Sequence, residues 1–120
     1  MHVMQIEERA VAGVTVVAVS GEITLNSGGG QTIKERAASL AGEGRRHLVL
    51  QLGGVTYVDS AGLGQLVQLQ LTMSKQGGVL KLANTAPRLR QLMEVAKLTR
   101  IFVFYDTEAA AVESFATTGA

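Results

Sequence analysis

Four short apolar runs, residues 14–19, 48–52, 79–83 and 101–105, punctuate the chain, and each gap between them has room for a helix. Runs of five or six residues rich in Val, Ile, Leu and Phe, bounded by Gly, Asn or Asp, read as strands. The gaps carry apolar residues at helical spacing instead: Ile33, Ala37, Leu40 and Ala41, then Leu89, Leu92, Met93 and Ala96. Strands joined through helices pair in parallel with right-handed crossovers, because a two-residue hairpin cannot connect parallel neighbours. Residues 3–10 alternate imperfectly and precede Ala12-Gly13, a tight hairpin turn that adds one antiparallel strand. The expected order is β-β-α-β-α-β-α-β-α: an α/β fold with a mostly parallel mixed sheet and about four covering helices. Residues 48–52 and 101–105, nearly continuous in apolar character, are expected to be inner strands.

The second gap differs from the others. Residues 55–58 (VTYV) read as the end of a buried strand, and Leu63, Leu66, Val67 and Leu71 lie near helical spacing, widened by Leu69 and Met73. The helix is expected to end near Lys75, before Gly77-Gly78. Asp59-Ser60 falls at its mouth, where a Ser or Asp side chain accepts a hydrogen bond from a free backbone N–H. Capping is the plainer role for Ser60. Gly62 and Gly64 weigh against that alone, since each glycine inside a helix costs about 1 kcal/mol relative to alanine. They leave bare backbone beside Ser60, open to a large group; tight packing against a neighbouring loop is the alternative.

In residues 58–64 the chain reads Val-Asp-Ser-Ala-Gly-Leu-Gly. This stretch resembles the signature of the STAS domain family of bacterial anti-sigma factor antagonists. Residues 14–21 resemble that family's second strand, Gly21-Glu22-Ile23-Thr24 the turn that closes it, and residues 87–98 its third helix. The likeness runs nearly end to end and implies one STAS domain over residues 1–120. It also implies that Ser60 is the residue phosphorylated, within a partner surface of Thr24, Asp59, Ser60, Ala61, Gly62, Leu63 and Gly64. Its partners would be an anti-sigma factor with serine kinase activity, released on phosphorylation, and a serine phosphatase that resets the switch. Three departures from the family pattern stand out: Thr24 replaces an acidic residue, Gln51 replaces Asp or Asn, and the loop before the first helix is about two residues longer. The first two favour a second reading, a constitutive scaffold or adaptor in a signalling or transport complex with Ser60 merely a cap.

Other chemistries find little support. The chain has two histidines, His2 and His47, and two aspartates, Asp59 and Asp106. His47 begins the strand whose far end leads to Ser60, so no base is expected beside that hydroxyl, and no Gly-x-Ser-x-Gly elbow surrounds it. The protein is expected not to be an enzyme. Gly28-Gly29-Gly30 lacks the Gly-Lys-Ser/Thr of a phosphate-cradling loop, and Gly62-Leu63-Gly64 lacks the third glycine of a dinucleotide fingerprint. Asn26 or Ser27 is expected to cap the first helix, and Asp106 or Thr107 the last, in which Val112 and Phe115 or Ala116 face inward. Met93 reads as core filler rather than metal ligand. With no cysteine, thiolate metal sites and disulfides are excluded. A formal net charge of +1 gives no electrostatic case for nucleic acid. Residues 1–8 lack the basic start and apolar run of a secretory leader, and no run is long enough to span a bilayer, so a cytoplasmic protein with no cofactor is expected.

Overall fold

A computed structural model describes residues 4–118, which leaves Val3 and His2 outside the described residues. The elements follow in the order β1 (Gln5–Val11), β2 (Val14–Ile23), α1 (Gly29–Gly42), β3 (His47–Val58), α2 (Ser60–Lys75), β4 (Val79–Ala83), α3 (Pro87–Val95), β5 (Phe104–Tyr105) and α4 (Glu108–Thr118). The hairpin turn is tighter than glycine alone would make it: Ala12 takes φ +51° and Gly13 φ +80°, both left-handed, as a two-residue hairpin requires. β1 is antiparallel to β2, and the remaining pairs are parallel, in the spatial order β1-β2-β3-β4-β5.

Because the parallel strands advance one place at a time in one direction, every right-handed crossover lands on the same face of the sheet. Helices α1, α2 and α3 therefore share one layer. There Ile33, Leu40, Leu69, Met73 and Met93 pack on Val17, Leu48, Leu50 and Leu82. Helix α4 follows the last strand and needs no crossover, so it folds back onto the opposite face. Val112 and Phe115 meet Val16, Val49 and Ala83 there, while Ala116 is exposed. Alternate residues of β3, Leu48 and Leu50 against Val49, thus serve the two cores. No helix among the described residues is long and apolar enough to cross a membrane.

Residues 101–105 are not an inner strand. β5 is an edge strand of two residues, paired only through Leu82 with Phe104 and Ala83 with Tyr105. Ile101 instead closes a turn onto the Leu98 carbonyl, and its own carbonyl accepts from Gln70 Nε2 at 2.9 Å. Phe102 plugs the larger core from that turn. Gly53-Gly54 does not break the third strand either. β3 runs unbroken for 12 residues, absorbing the glycines in a register shift against β2 between Ala18 and Ser20. A Cβ on Gly54 would stand 2.8 Å from that of Ser20, so only glycine lets the strands close there.

Candidate functional site

The sheet's parallel strands have unequal lengths, and this creates the site. β4 pairs with β3 only as far as Gln51 with Ala83, whereas β3 continues to Val58. The overhang 52–58 is held by β2 on one side and has no strand on the other. Val58 is buried, but Thr56 and Tyr57 are exposed, Tyr57 to 56%. The expectation that residues 55–58 end a buried strand holds for Val58 alone. The overhang, the first residues of α2 and the outer flank of α3 enclose a groove of about 520 Å³, with Leu52, Val55, Val58 and Leu89 in its lining. Asp59, Ser60, Arg88, Leu92 and Val95 line it as well.

Asp59 caps α2, and Ser60 does not. Extended at φ −92°, Asp59 accepts from the Gly62 backbone N–H through Oδ1 at 2.7 Å. Its other carboxylate oxygen, Oδ2, accepts from the Leu25 backbone N–H at 3.0 Å. Together these bonds, Gly62 first, hold the Asp59 carboxyl below its ordinary range by stabilising the anion. Ser60 is thereby left as the first residue of the helix, exposed, and among the described residues its hydroxyl has no hydrogen-bond partner.

The two glycines of the first turn have opposite roles. Gly62 is buried, and a Cβ there would lie 1.9 Å from the Ile23 carbonyl oxygen. Its lack of a side chain serves internal packing, correcting the expectation that it leaves backbone open to a partner. A Cβ on Gly64 meets nothing within 4 Å, so that position is open to solvent. Leu63 is buried in the core, and its N–H donates to the Asp59 carbonyl at 2.9 Å, continuing the helix from its cap. Ala61 is half-buried. Further along α2 the apolar stripe runs through Leu63, Leu66, Leu69 and Met73, and Leu71, expected on it, is 53% exposed.

The loop from β2 to α1 closes on itself beside Asp59. Thr24 is buried: its Oγ1 accepts from the Ser27 N–H at 3.1 Å, and Ser27 Oγ accepts from the Thr24 N–H at 3.0 Å. Ser27 therefore shapes the loop rather than capping α1, whose N-cap is Gly28 at φ +67°. Thr24, which the family resemblance implies is part of the partner surface, faces inward for the same reason. The loop instead presents Leu25, 75% exposed, whose amide is the one bound to Asp59. Sequence reasoning missed Leu25 and Tyr57 as surface features; a leucine set among Thr, Asn, Ser and Gly was the available signal for the first. Gln51, the other departure, turns its Oε1 to the Gly53 N–H of its own strand. His47 stacks on Phe115 with ring centroids 4.6 Å apart, at the start of a 12-residue strand that leads away from it to Ser60.

Residues 5–111 match the STAS domain family. The chain belongs to that family. The STAS fold expected from the sequence is the fold observed. An anti-sigma-B factor antagonist of Bacillus subtilis is 38% identical over 85 residues, 71% of this chain and 75% of that protein. An anti-sigma factor antagonist from Mycobacterium paratuberculosis has the same STAS architecture, with a TM-score of 0.78 at 23% identity over 92% of each chain. The Bacillus protein SpoIIAA in its phosphorylated form aligns with a TM-score of 0.67 at 18% identity, covering 92% of this chain and 97% of that one.

Proposed function

We propose that this STAS domain is an anti-sigma factor antagonist controlled by phosphorylation of Ser60. The observation that carries the reading is the division of labour at the mouth of α2. Asp59 takes the capping role, so the Ser60 hydroxyl stands exposed with no structural duty. The names of the sequence relatives support the class of partner, and the phosphorylated form of SpoIIAA supports the modification on a domain of this fold.

In the unmodified state the surface around Ser60, Gly64 and Leu25 binds an anti-sigma factor in the cytoplasm and releases its sigma factor. That anti-sigma factor is also a serine kinase. The Ser60 oxygen attacks the γ-phosphorus of ATP, its proton passes to the kinase's base, the γ-phosphoanhydride bond breaks and ADP leaves. The product carries about −1.5 to −2 charges. Beside the Asp59 carboxylate, this dianion repels a docked protein and demands solvation that an interface withdraws. The core is untouched because Ser60 contributes nothing to it. A serine phosphatase hydrolyses the ester and restores the hydroxyl.

The test is to incubate the protein with its anti-sigma factor and ATP and measure the intact mass. One phosphate should be added, and none in Ser60→Ala. Ser60→Asp should keep the wild-type melting temperature yet bind the anti-sigma factor at least about tenfold more weakly, the size of effect like-charge juxtaposition produces. Undiminished binding by Ser60→Asp would refute the switch and leave a constitutive scaffold as the reading.

A further inference from the structure

Among the described residues, the groove beside Ser60 contains one cationic side chain, Arg88, in the first turn of α3, and one anionic side chain, Asp59. Arg88 is exposed, and among the described residues it has no hydrogen bond or ion pair. Its neighbour on the same helix is committed: the Arg90 guanidinium sits 4.5 Å from the centroid of the Phe104 ring. Asp59 is committed too, both carboxylate oxygens being engaged by backbone N–H groups. The groove therefore holds an exposed hydroxyl on one wall and an unengaged guanidinium on another, across a lining that is largely apolar.

We infer that Arg88 is the intramolecular receptor for the phosphate carried by Ser60, so that modification draws the first turn of α3 and the mouth of α2 together across the groove. A guanidinium presents a planar fork that matches phosphate oxygens in pairs, and apolar walls strengthen a charge pair by keeping water from one side of it. The bridge would lay the aliphatic stem of Arg88 over the groove floor near Val58 and Leu89. Phosphorylation would then remove an apolar recess as well as add charge. The inference rests on Ser60 being the modified residue, but it concerns where the phosphate goes afterwards and not which protein it repels.

The experiment installs phosphoserine at position 60 by genetic encoding, so no kinase is needed, and follows the phosphate's second ionisation by ³¹P NMR titration. An adjacent cation favours the dianion, and in a groove open to solvent the second pKa should lie about 0.5 unit lower in the otherwise wild-type phosphoprotein than in its Arg88→Ala form. Arg88→Lys should keep part of that difference, Arg90→Ala all of it, and 1 M salt should shrink it. Asp59 and the helix terminus act equally in every variant, so the difference isolates residue 88. Equal pKa values with and without Arg88 would overturn the inference. Undiminished binding of the same phosphoprotein to the anti-sigma factor would instead sink the switch while leaving the Arg88 contact intact.

Discussion

The Leu25 backbone N–H donates to Oδ2 of Asp59 across 34 positions of sequence, at 3.0 Å, while Oδ1 of the same carboxylate caps α2. One side chain thus fixes the helix that carries Ser60 and the loop that carries the exposed Leu25. Asp59→Ala removes both bonds. Loss of an N-cap alone is a recognised helix destabilisation, and in a chain of this size it should lower the melting temperature by roughly 3–6 °C. Asp59→Asn, which can still accept from Gly62, should lose less. Amide hydrogen exchange at Leu25 should speed up in Asp59→Ala; unchanged protection would show that the loop is held by the Thr24–Ser27 bonds alone.

Among the described residues, three carboxyls are held below their ordinary values, and all three tie distant elements. Backbone N–H groups lower Asp59, the Arg36 guanidinium lowers Glu8, and Arg9 lowers Glu108, the last through paired contacts of 2.7 Å. A folded-state pKa below the unfolded one means that stability is fully present above the unfolded value and is lost as pH falls through the folded one. The urea midpoint should therefore be flat from neutral pH down to about 5 and fall below that, as the ordinary range of Asp and Glu is crossed. Glu8 and Glu108 bridge β1 to α1 and β1 to α4, so Glu8→Gln and Glu108→Gln should each flatten part of the acid limb. A midpoint that rose on acidification would contradict all three assignments.

The two glycines of α2 give a sharper contrast. Gly62→Ala would drive a methyl to 1.9 Å from the Ile23 carbonyl oxygen, a backbone atom of β2 that cannot swing away. Forced overpacking of this kind costs on the order of 1–3 kcal/mol or more. Gly64→Ala meets open space in a helical conformation and should stabilise by about 0.5–1 kcal/mol, the difference in helix propensity. Denaturant unfolding of the two variants should give shifts of opposite sign.

What the sequence disclosed about this site, and what it hid, divides along the range of the forces involved. The runs 14–19, 48–52 and 79–83, the hairpin and the stripe of α1 depend on periodicity within a dozen residues, and they appear in place, as does the cap of α4, where Thr107 Oγ1 accepts from the Ala110 N–H. The run 101–105 shrinks to the two residues of β5, and Leu71, Leu92 and Ala96 are exposed rather than on the buried stripes. Tyr57 looked buried because VTYV is a strand sequence. Its exposure follows from β4 stopping at Ala83, seven positions short of where β3 stops in register terms, and that is a property of pairing between distant segments. Gly62 and Gly64 are indistinguishable as letters, and only the position of the Ile23 carbonyl separates them. The choice between Asp59 and Ser60 as cap was likewise open in sequence, since both residue types cap well. It is decided by which side chain also reaches the Leu25 amide, and the STAS likeness, being a likeness of motif, carried no information on that bond.

Leu25 offers the last test, because it separates binding from folding. It is 75% exposed, its side chain is absent from both core clusters, and its contribution to the loop is made by the backbone amide. Leu25→Ser should leave stability within about 0.5 kcal/mol, as surface substitutions usually do. If the partner docks over the mouth of α2, the same change removes an apolar anchor next to Ser60 and should weaken anti-sigma factor binding by about tenfold or more, mostly through faster dissociation. Tyr57→Ser, on the other rim, should behave alike if the groove is part of the contact, and should bind normally if the partner covers only the loop side. Measured together by surface-immobilised kinetics and thermal unfolding, the two variants locate the footprint: loss of affinity in neither would place the partner away from Ser60 altogether.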